Sequence, residues 1–186
     1  MKSRKHTGFT IVEMLIVVLV ISVTMAIALP SFNGMLSNSR ITTDTNRLVN
    51  DIQLARSESM KRGVRVILCR SADTTIANPV CGGTTKVWSN GWLVFASGNA
   101  NNTYEPANDI LIKVSHAVHE RITLKSNSTS NANLEYNPDA STNEGGGTAV
   151  FAICDARGAS FGNEIQVPPV GRPRLADVVA NCVPTT

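Results

Sequence analysis

The sequence lacks the patterns that mark most enzymes and zinc proteins. It has no phosphate-cradling glycine loop, and its four cysteines include no C-x₂-C pair. We find no nucleophile elbow around its serines and no catalytic constellation. His116, His119 and Glu120 have the spacing H-x-x-H-E, but they join two strand-like stretches and lack the residue order of a helical metalloprotease site. We therefore expect no enzyme, no metal site and no cofactor, and we interpret both histidines as part of a solvated turn or strand edge.

A net charge is also missing from most of the chain. The formal charge of +3 comes from 17 basic and 14 acidic residues. Lys2, Arg4 and Lys5 account for the whole excess, because the chain beyond residue 8 has 14 of each kind. The overall basic charge typical of nucleic-acid-binding proteins is thus absent from the body of the chain.

The sequence does contain one long apolar run. Over residues 9–29 every residue is apolar except Thr10, Glu13, Ser22 and Thr24. A run of this length matches the ~20 residues that a helix needs to cross a ~30 Å hydrocarbon layer. Basic residues precede it, which favours an N-terminus in the cytoplasm and the remaining chain on the outer side. The pattern predicts a single-pass membrane anchor.

Glu13 is the charge that interrupts this run. A carboxylate inside a bilayer costs roughly 2.5–3.5 kcal/mol, so such a residue usually has a partner. Near the start of a helix it could instead reach the aqueous interface. The alternative is a positive group on a neighbouring copy of the chain.

The order Gly8, Phe9, Glu13 and an apolar helix resembles the class III leader of type IV pilins and secretion pseudopilins. The resemblance implies that a prepilin peptidase cuts between Gly8 and Phe9 and methylates Phe9. It also implies that Glu13 neutralises the α-amino group of an adjacent subunit, since two buried opposite charges are tolerable together. Pro30 matches the helix-kinking proline of many pilins.

The resemblance implies a three-part chain. Residues 1–8 would be the leader peptide, residues 9–36 a transmembrane and assembly helix, and residues 37–186 a pilin-like globular domain. The chain would lie in the bacterial inner membrane, with its globular domain in the periplasm, and would be incorporated into a pilus or pseudopilus.

A helical pattern continues beyond Pro30. A narrow apolar or small stripe follows helical spacing at Leu48, Ile52, Ala55 and Ser59. Basic residues followed by Gly63 are typical of a helix end. The pattern predicts one long helix over residues 9–62, whose solvated face carries Arg40, Arg47, Arg56, Lys61 and Arg62.

The rest of the chain reads as β structure. Alternating and β-branched stretches predict strands at 64–69, 86–88, 92–96, 110–114, 121–124, 148–154 and 164–167. Residues 89–91 are a hairpin-like turn signal, and 126–133 and 137–147 are polar loops. We predict an α+β fold, a pilin-like roll in which the long N-terminal helix packs on an antiparallel sheet. The order of elements resembles the GspH/FimT/FimU branch of the pilin superfamily.

Four cysteines follow the apolar run and would therefore lie on its predicted outer side. An oxidising compartment and an even count favour disulfides, with three possible connectivities. We predict the local pairing, Cys69 with Cys81 and Cys154 with Cys182. Zinc is the rival interpretation, and the spacing disfavours it.

Near the C-terminus the sequence reads GRPR. Pro173 biases Arg172 towards extended geometry, so Arg172 and Arg174 would point to one side and could contact successive phosphates. FimT-type minor pilins, which are implicated in DNA uptake during natural transformation, carry a similar G-R-x-R motif. The resemblance implies DNA binding by Gly171, Arg172 and Arg174, weak for one subunit and salt-dependent.

Two functions are compatible with these patterns. The first is a minor pilin of a type IV pilus, with a structural role in assembly and a further role in binding double-stranded DNA. The second is a GspH-type minor pseudopilin of a type II secretion system, which would contact secreted proteins. Both imply other pilin or pseudopilin subunits and a prepilin peptidase as partners.

Overall fold

A computed structural model describes residues 8–84, 86–99, 101–126, 133–143, 147–176 and 182, without the side chains of residues 27–31. The chain forms two compact units, Met1–Asn38 and Ser39–Thr186. The second unit contains all the described strands and both disulfides.

One long helix, α1, covers Ile11–Arg62. Thr10 precedes it, and the hydroxyl of Thr10 accepts a hydrogen bond from the backbone N–H of Glu13 (3.2 Å), which satisfies one of the free donors of the first turn. The helix is continuous across Pro30, so this proline does not end it. At the other end Gly63 adopts φ 66° and its N–H bonds to the carbonyl of Ser59 (3.0 Å). The predicted helix and its glycine stop are confirmed.

The described strands form two four-stranded antiparallel sheets. They are β1 (Val66–Arg70), β2 (Gly91–Ala96), β3 (Ile110–His116), β4 (Thr123–Ser126), β5 (Asn133–Tyr136), β6 (Ala149–Cys154), β7 (Asn163–Val167) and β8 (Arg174–Ala176). The first sheet has the order β3-β2-β1-β5 and the second the order β4-β6-β7-β8. A short 3₁₀ helix, Ala159–Phe161, connects β6 to β7.

The main core lies between α1 and the two sheets. Leu48, Ile52 and Ala55 of the predicted helical stripe are fully buried, as is Ser59. The three apolar residues join one apolar cluster with inward-facing residues of both sheets, Trp92 among them. Burying a large apolar side chain contributes roughly 1.5–3 kcal/mol, so this stripe holds the helix on the sheets. The predicted α+β fold is confirmed.

The predicted hairpin around residues 89–91 is wrong in its pairing. The turn forms, with Gly91 donating to the carbonyl of Trp88 (3.0 Å), but β2 pairs with β1 and β3. Val87 instead makes an isolated bridge to Lys125. The reason is burial, because Trp88 is fully enclosed and packs edge-on against Phe151, with ring centroids 5.1 Å apart.

The predicted solvated face of α1 is also partly wrong. The guanidinium of Arg47 lies 4.9 Å from the ring centre of Trp92, and Arg56 is half-buried. Asp51, outside the predicted stripe, is fully buried and accepts hydrogen bonds from Trp92, Lys113 and Ser115. Two sheets cover a wider face of the helix than the narrow apolar stripe indicates.

Both disulfides have the predicted pairing. Cys69, one residue before the end of β1, joins Cys81, and Cys154 at the end of β6 joins Cys182. The first closes a sequence separation of 12 residues and the second one of 28. The first bond joins Cys81 to β1 of the first sheet, and the second joins Cys182 to β6 of the second sheet.

Candidate functional site

The first candidate site is the start of α1, where large apolar side chains are exposed on every side. Phe9 is 75% exposed and Ile11 is 82% exposed, and the pattern continues to Met25. We call residues 9–26 the assembly segment. An apolar surface of this extent is typical of a region that contacts lipid or other proteins.

Polar groups within the assembly segment are bonded inside their own helix. The hydroxyl of Ser22 donates to the carbonyl of Val18 (2.7 Å), and that of Thr24 donates to the carbonyl of Val20 (3.0 Å). Glu13 is different, because its carboxylate makes no hydrogen bond or ion pair with the described residues. This leaves Glu13 as the charged group of the segment that is available to an outside partner.

Glu13 also has a favourable local position. Thr10 and Glu13 have the spacing of a capping box, and an acidic residue in the first turn complements the helix dipole. Gly8 lies just before this turn, outside the helix. In the part of the chain that the structure describes, no helix is long and apolar enough to cross a membrane. The predicted membrane span stays a prediction.

The second candidate site surrounds the GRPR stretch in the unit Ser39–Thr186. Gly171 is buried with φ 74°, a conformation that favours glycine. Its carbonyl accepts a hydrogen bond from the Tyr136 hydroxyl (2.9 Å), and its N–H donates to the carbonyl of Pro168 (2.8 Å). A Cβ atom at this position would collide with the carbonyl of Ala140 and the ring of Tyr136. Gly171 therefore has a structural function in fixing the chain before Arg172.

Both arginines of the motif are exposed. Arg172 precedes β8, and Arg174 is its first residue. Arg174 faces Gln166 of β7, and its guanidinium donates to the side-chain oxygen of Gln166 (3.2 Å). The strand β8 was not predicted, since only three residues form it. The prediction that Arg172 and Arg174 contact successive phosphates stays a prediction.

A third arginine, Arg56 of α1, lies next to this motif. Arg56 and Arg172 line a groove of about 380 Å³ together with Gln53, Ser57, Met60 and Pro173. We call it the arginine groove. The sequence pattern placed Arg56 on a solvated face and gave no connection between Arg56 and the tail. The sequence signal that could have pointed to this groove is the spacing of residues 53, 56, 57 and 60, which share one helix face.

The guanidinium of Arg56 has one nitrogen that is both buried and unpaired among the described residues. Its Nε atom is shielded from water and has no hydrogen-bond partner among the described residues. Its charge also acts on Tyr136. Burial raises the pKa of the Tyr136 hydroxyl, and the positive charge of Arg56 offsets part of that rise. The groove therefore has a cation on its helix side and a second, exposed cation on its tail side.

The sequence contains one pattern that is typical of enzymes. Gly158-Ala159-Ser160-Phe161-Gly162 has the letters of a hydrolase elbow, G-x-S-x-G. The structure places it in the 3₁₀ helix between β6 and β7, whereas an elbow needs a turn from a strand into an α-helix. Sequence reading was therefore wrong to find no such pattern around the serines, although the local structure differs from that of an elbow.

The two histidines have different surroundings. His116 ends β3 and is exposed, while Nδ1 of His119 accepts a hydrogen bond from the N–H of Arg121 (3.2 Å). Among the described residues no group of His, Cys, Asp and Glu side chains could hold a metal ion.

Comparison with known families gives two matches. Residues 44–171 match the family model described as type II transport protein GspH, and residues 3–29 match the prokaryotic N-terminal methylation motif. No curated protein matches the chain.

Solved structures agree with the fold. The chain is similar to the type IV minor pilin FimU of Pseudomonas aeruginosa in two crystal forms. One comparison has 16% identity and a TM-score of 0.57, covering 78% of this chain and 96% of FimU. The other has 17% identity and a TM-score of 0.54, covering 76% and 99%. At such low identity the likeness concerns the fold.

Both family matches point to the type IV pilin superfamily, and membership of it has direct consequences. Its members are structural subunits without enzymatic activity, anchored in a membrane and associated with pili or pseudopili. They assemble with other pilin-like subunits and are processed by a prepilin peptidase. The GspH model matches most of the chain, and the methylation motif matches its start. The chain therefore belongs to the GspH family of type IV pilin-like minor pilins and pseudopilins.

Proposed function

We propose that the chain is a minor pilin of a type IV pilus with a structural role in assembly. The observation that carries this proposal is the exposed apolar surface of the assembly segment. Lipid would cover this surface before assembly, and apolar helices of neighbouring subunits would cover it afterwards. Glu13 would then pair with the α-amino group of Phe9 in an adjacent subunit, which removes the cost of two separate buried charges.

Processing and localisation follow from the same proposal. The prepilin peptidase would cut between Gly8 and Phe9 and methylate Phe9. The chain would be a single-pass protein of the bacterial inner membrane with residues 37–186 in the periplasm, and Pro30 would adjust the path of the helix in the filament. Two disulfides support an oxidising compartment for that domain.

The alternative is a GspH-type minor pseudopilin of a type II secretion system. The description of the matching family supports it, and the chain would then contact secreted proteins. The test is to isolate the tagged chain from its native cells and identify its filament by mass spectrometry. Recovery with sheared pili supports the pilus subunit, and recovery with secretion pseudopilins alone supports the alternative.

A second function, binding of double-stranded DNA, is favoured by a separate observation. Arg172 and Arg174 are both exposed, and Gly171 and Tyr136 hold the chain that leads into them. Guanidinium groups bind phosphates in a two-pronged geometry that suits a nucleic-acid backbone. The body of the chain has no net charge, so one subunit would bind weakly and several subunits in a filament would add avidity.

DNA binding can be tested by titration of the full-length chain in non-ionic detergent. The variant Arg172→Gln/Arg174→Gln is compared with the wild type on one short duplex at several salt concentrations. We expect the variant to lose most binding, and the salt slope to fall by roughly 0.9 for each lost phosphate contact. Equal binding by the variant, or no binding by the wild type at low salt, contradicts the proposal.

A further inference from the structure

We propose that the arginine groove is a phosphate site and that Arg56 is its principal ligand. The inference rests on the proposed DNA binding in one respect, because it takes a DNA strand as the source of the phosphate. It adds a residue from α1, more than a hundred positions before the GRPR stretch. It also assigns different tasks to the three arginines.

The state of Arg56 is the first argument. Its Nε donor has already lost contact with water, without a partner among the described residues. A buried donor in this state is unfavourable, so a movement of the side chain that brings Nε to an acceptor in the groove recovers the lost interaction. Because the donor is charged, the bond to an anionic oxygen is of the strong, charge-assisted kind.

The lining of the groove is the second argument. Arg172 supplies a second guanidinium, and Gln53 supplies a neutral donor on the helix side. The Ser57 hydroxyl also lines the groove, but it donates to the carbonyl of Leu54 (2.9 Å). Met60 and Pro173 add apolar surface suited to a sugar ring. The volume of about 380 Å³ accommodates a phosphate with its attached sugar. None of the described residues that line this groove is acidic.

Arg174 has another role. It is exposed, and its guanidinium is bonded to Gln166 on the surface of the second sheet. We therefore assign the directional phosphate contacts to Arg56 and Arg172, and a general attraction for the backbone to Arg174.

The experiment compares Arg56→Gln, Arg56→Lys and Lys61→Gln in the full-length chain in non-ionic detergent. Lys61→Gln is the matched control, because it removes one positive charge from the same helix outside the groove. Each variant is titrated with a short duplex over a range of salt. We expect Arg56→Gln to weaken binding about tenfold or more and to lower the salt slope by roughly 0.9. Arg56→Lys should be intermediate, and Lys61→Gln should retain the wild-type slope.

A second readout separates this inference from the proposed function. The side-chain Nε–H of Arg56 is followed by NMR during addition of DNA and, separately, of inorganic phosphate. If DNA binds but Arg56→Gln behaves like Lys61→Gln and the Nε–H signal stays unmoved, the groove inference is overturned while the proposed DNA binding stands. If DNA does not bind but phosphate shifts the signal, the groove is a site for free phosphate and the DNA proposal fails. No response to either ligand contradicts both.

Discussion

The hydroxyl of Tyr136 donates a hydrogen bond to the carbonyl oxygen of Gly171 (2.9 Å). This bond joins β5 of the first sheet to the segment that leads into β8 of the second. The backbone just before Arg172 is thereby anchored from the core, and the side chain of Arg172 begins from a fixed point. The tail motif thus combines a buried glycine that positions the chain with exposed arginines that can meet a ligand.

Replacing Gly171 with alanine should destabilise the protein. The new Cβ would occupy a left-handed conformation and collide with Ala140 and Tyr136, at a cost of about 2 kcal/mol or more. Tyr136→Phe removes one hydrogen bond and should cost about 1 kcal/mol. Urea unfolding monitored by tryptophan fluorescence measures both. An unchanged midpoint for Gly171→Ala would contradict the anchoring role.

Asp51 is the buried carboxylate on which three donors converge. Asp51→Ala leaves Trp92, Ser115 and the ammonium of Lys113 without their acceptor, and we expect a loss of about 3 kcal/mol or more. Glu58→Ala is the matched control, since Glu58 makes only local pairs with Lys61 and Arg62 on the same helix. Its effect should be much smaller. Equal destabilisation by the two variants would refute the importance of the buried cluster.

The two disulfides should stabilise the unit Ser39–Thr186 separately. Loop-closure arguments give about 3 kcal/mol for each, somewhat more for the longer loop closed by Cys154 and Cys182. Paired serine variants, Cys69→Ser/Cys81→Ser and Cys154→Ser/Cys182→Ser, test this by thermal unfolding. Each should lower the Tm, and a reductant should then lower it further in either variant. A double variant with the wild-type Tm would show that its disulfide contributes nothing.

Gly8 should control processing of the N-terminus. Gly8→Leu places a large side chain at the proposed cut and should leave the leader attached, whereas the wild type should begin with N-methylated Phe9. Mass spectrometry of the N-terminal peptide distinguishes the two. The sequence also contains Ala26-Ile27-Ala28, which has the A-x-A pattern of an ordinary signal cleavage site. A wild-type chain that begins at Leu29 would contradict the prepilin assignment.

The helix and its core stripe could be predicted because they depend on local spacing. The helix α1 ends at Arg62, just before Gly63, as the sequence indicated. The apolar periodicity identified the buried stripe of Leu48, Ile52, Ala55 and Ser59. The strand β5 could not be predicted, since its segment Asn-Leu-Glu-Tyr has two residues that are rare in strands. Glu135 is buried there because Asn143 and the sequence-distant Arg65 and Asn102 supply its partners.

The candidate sites also differ in whether they depend on a local pattern or on contacts between distant residues. The leader motif is a short continuous pattern, so Gly8, Phe9 and Glu13 could be singled out from the sequence. The arginine groove depends on bringing residue 56 next to residue 172, and no local pattern encodes that contact. The buried position of Gly171 likewise depends on Tyr136 and Ala140.

The most direct test of the account is the filament content of Glu13 variants in native cells. Glu13→Ala and Glu13→Val are compared with the wild type by quantitative immunoblots of membranes and of sheared filaments. The account predicts wild-type levels of the variants in the membrane and strong depletion from the filaments, because the variants lack the charge that pairs with the neighbouring N-terminus. Normal incorporation of either variant into filaments would contradict it.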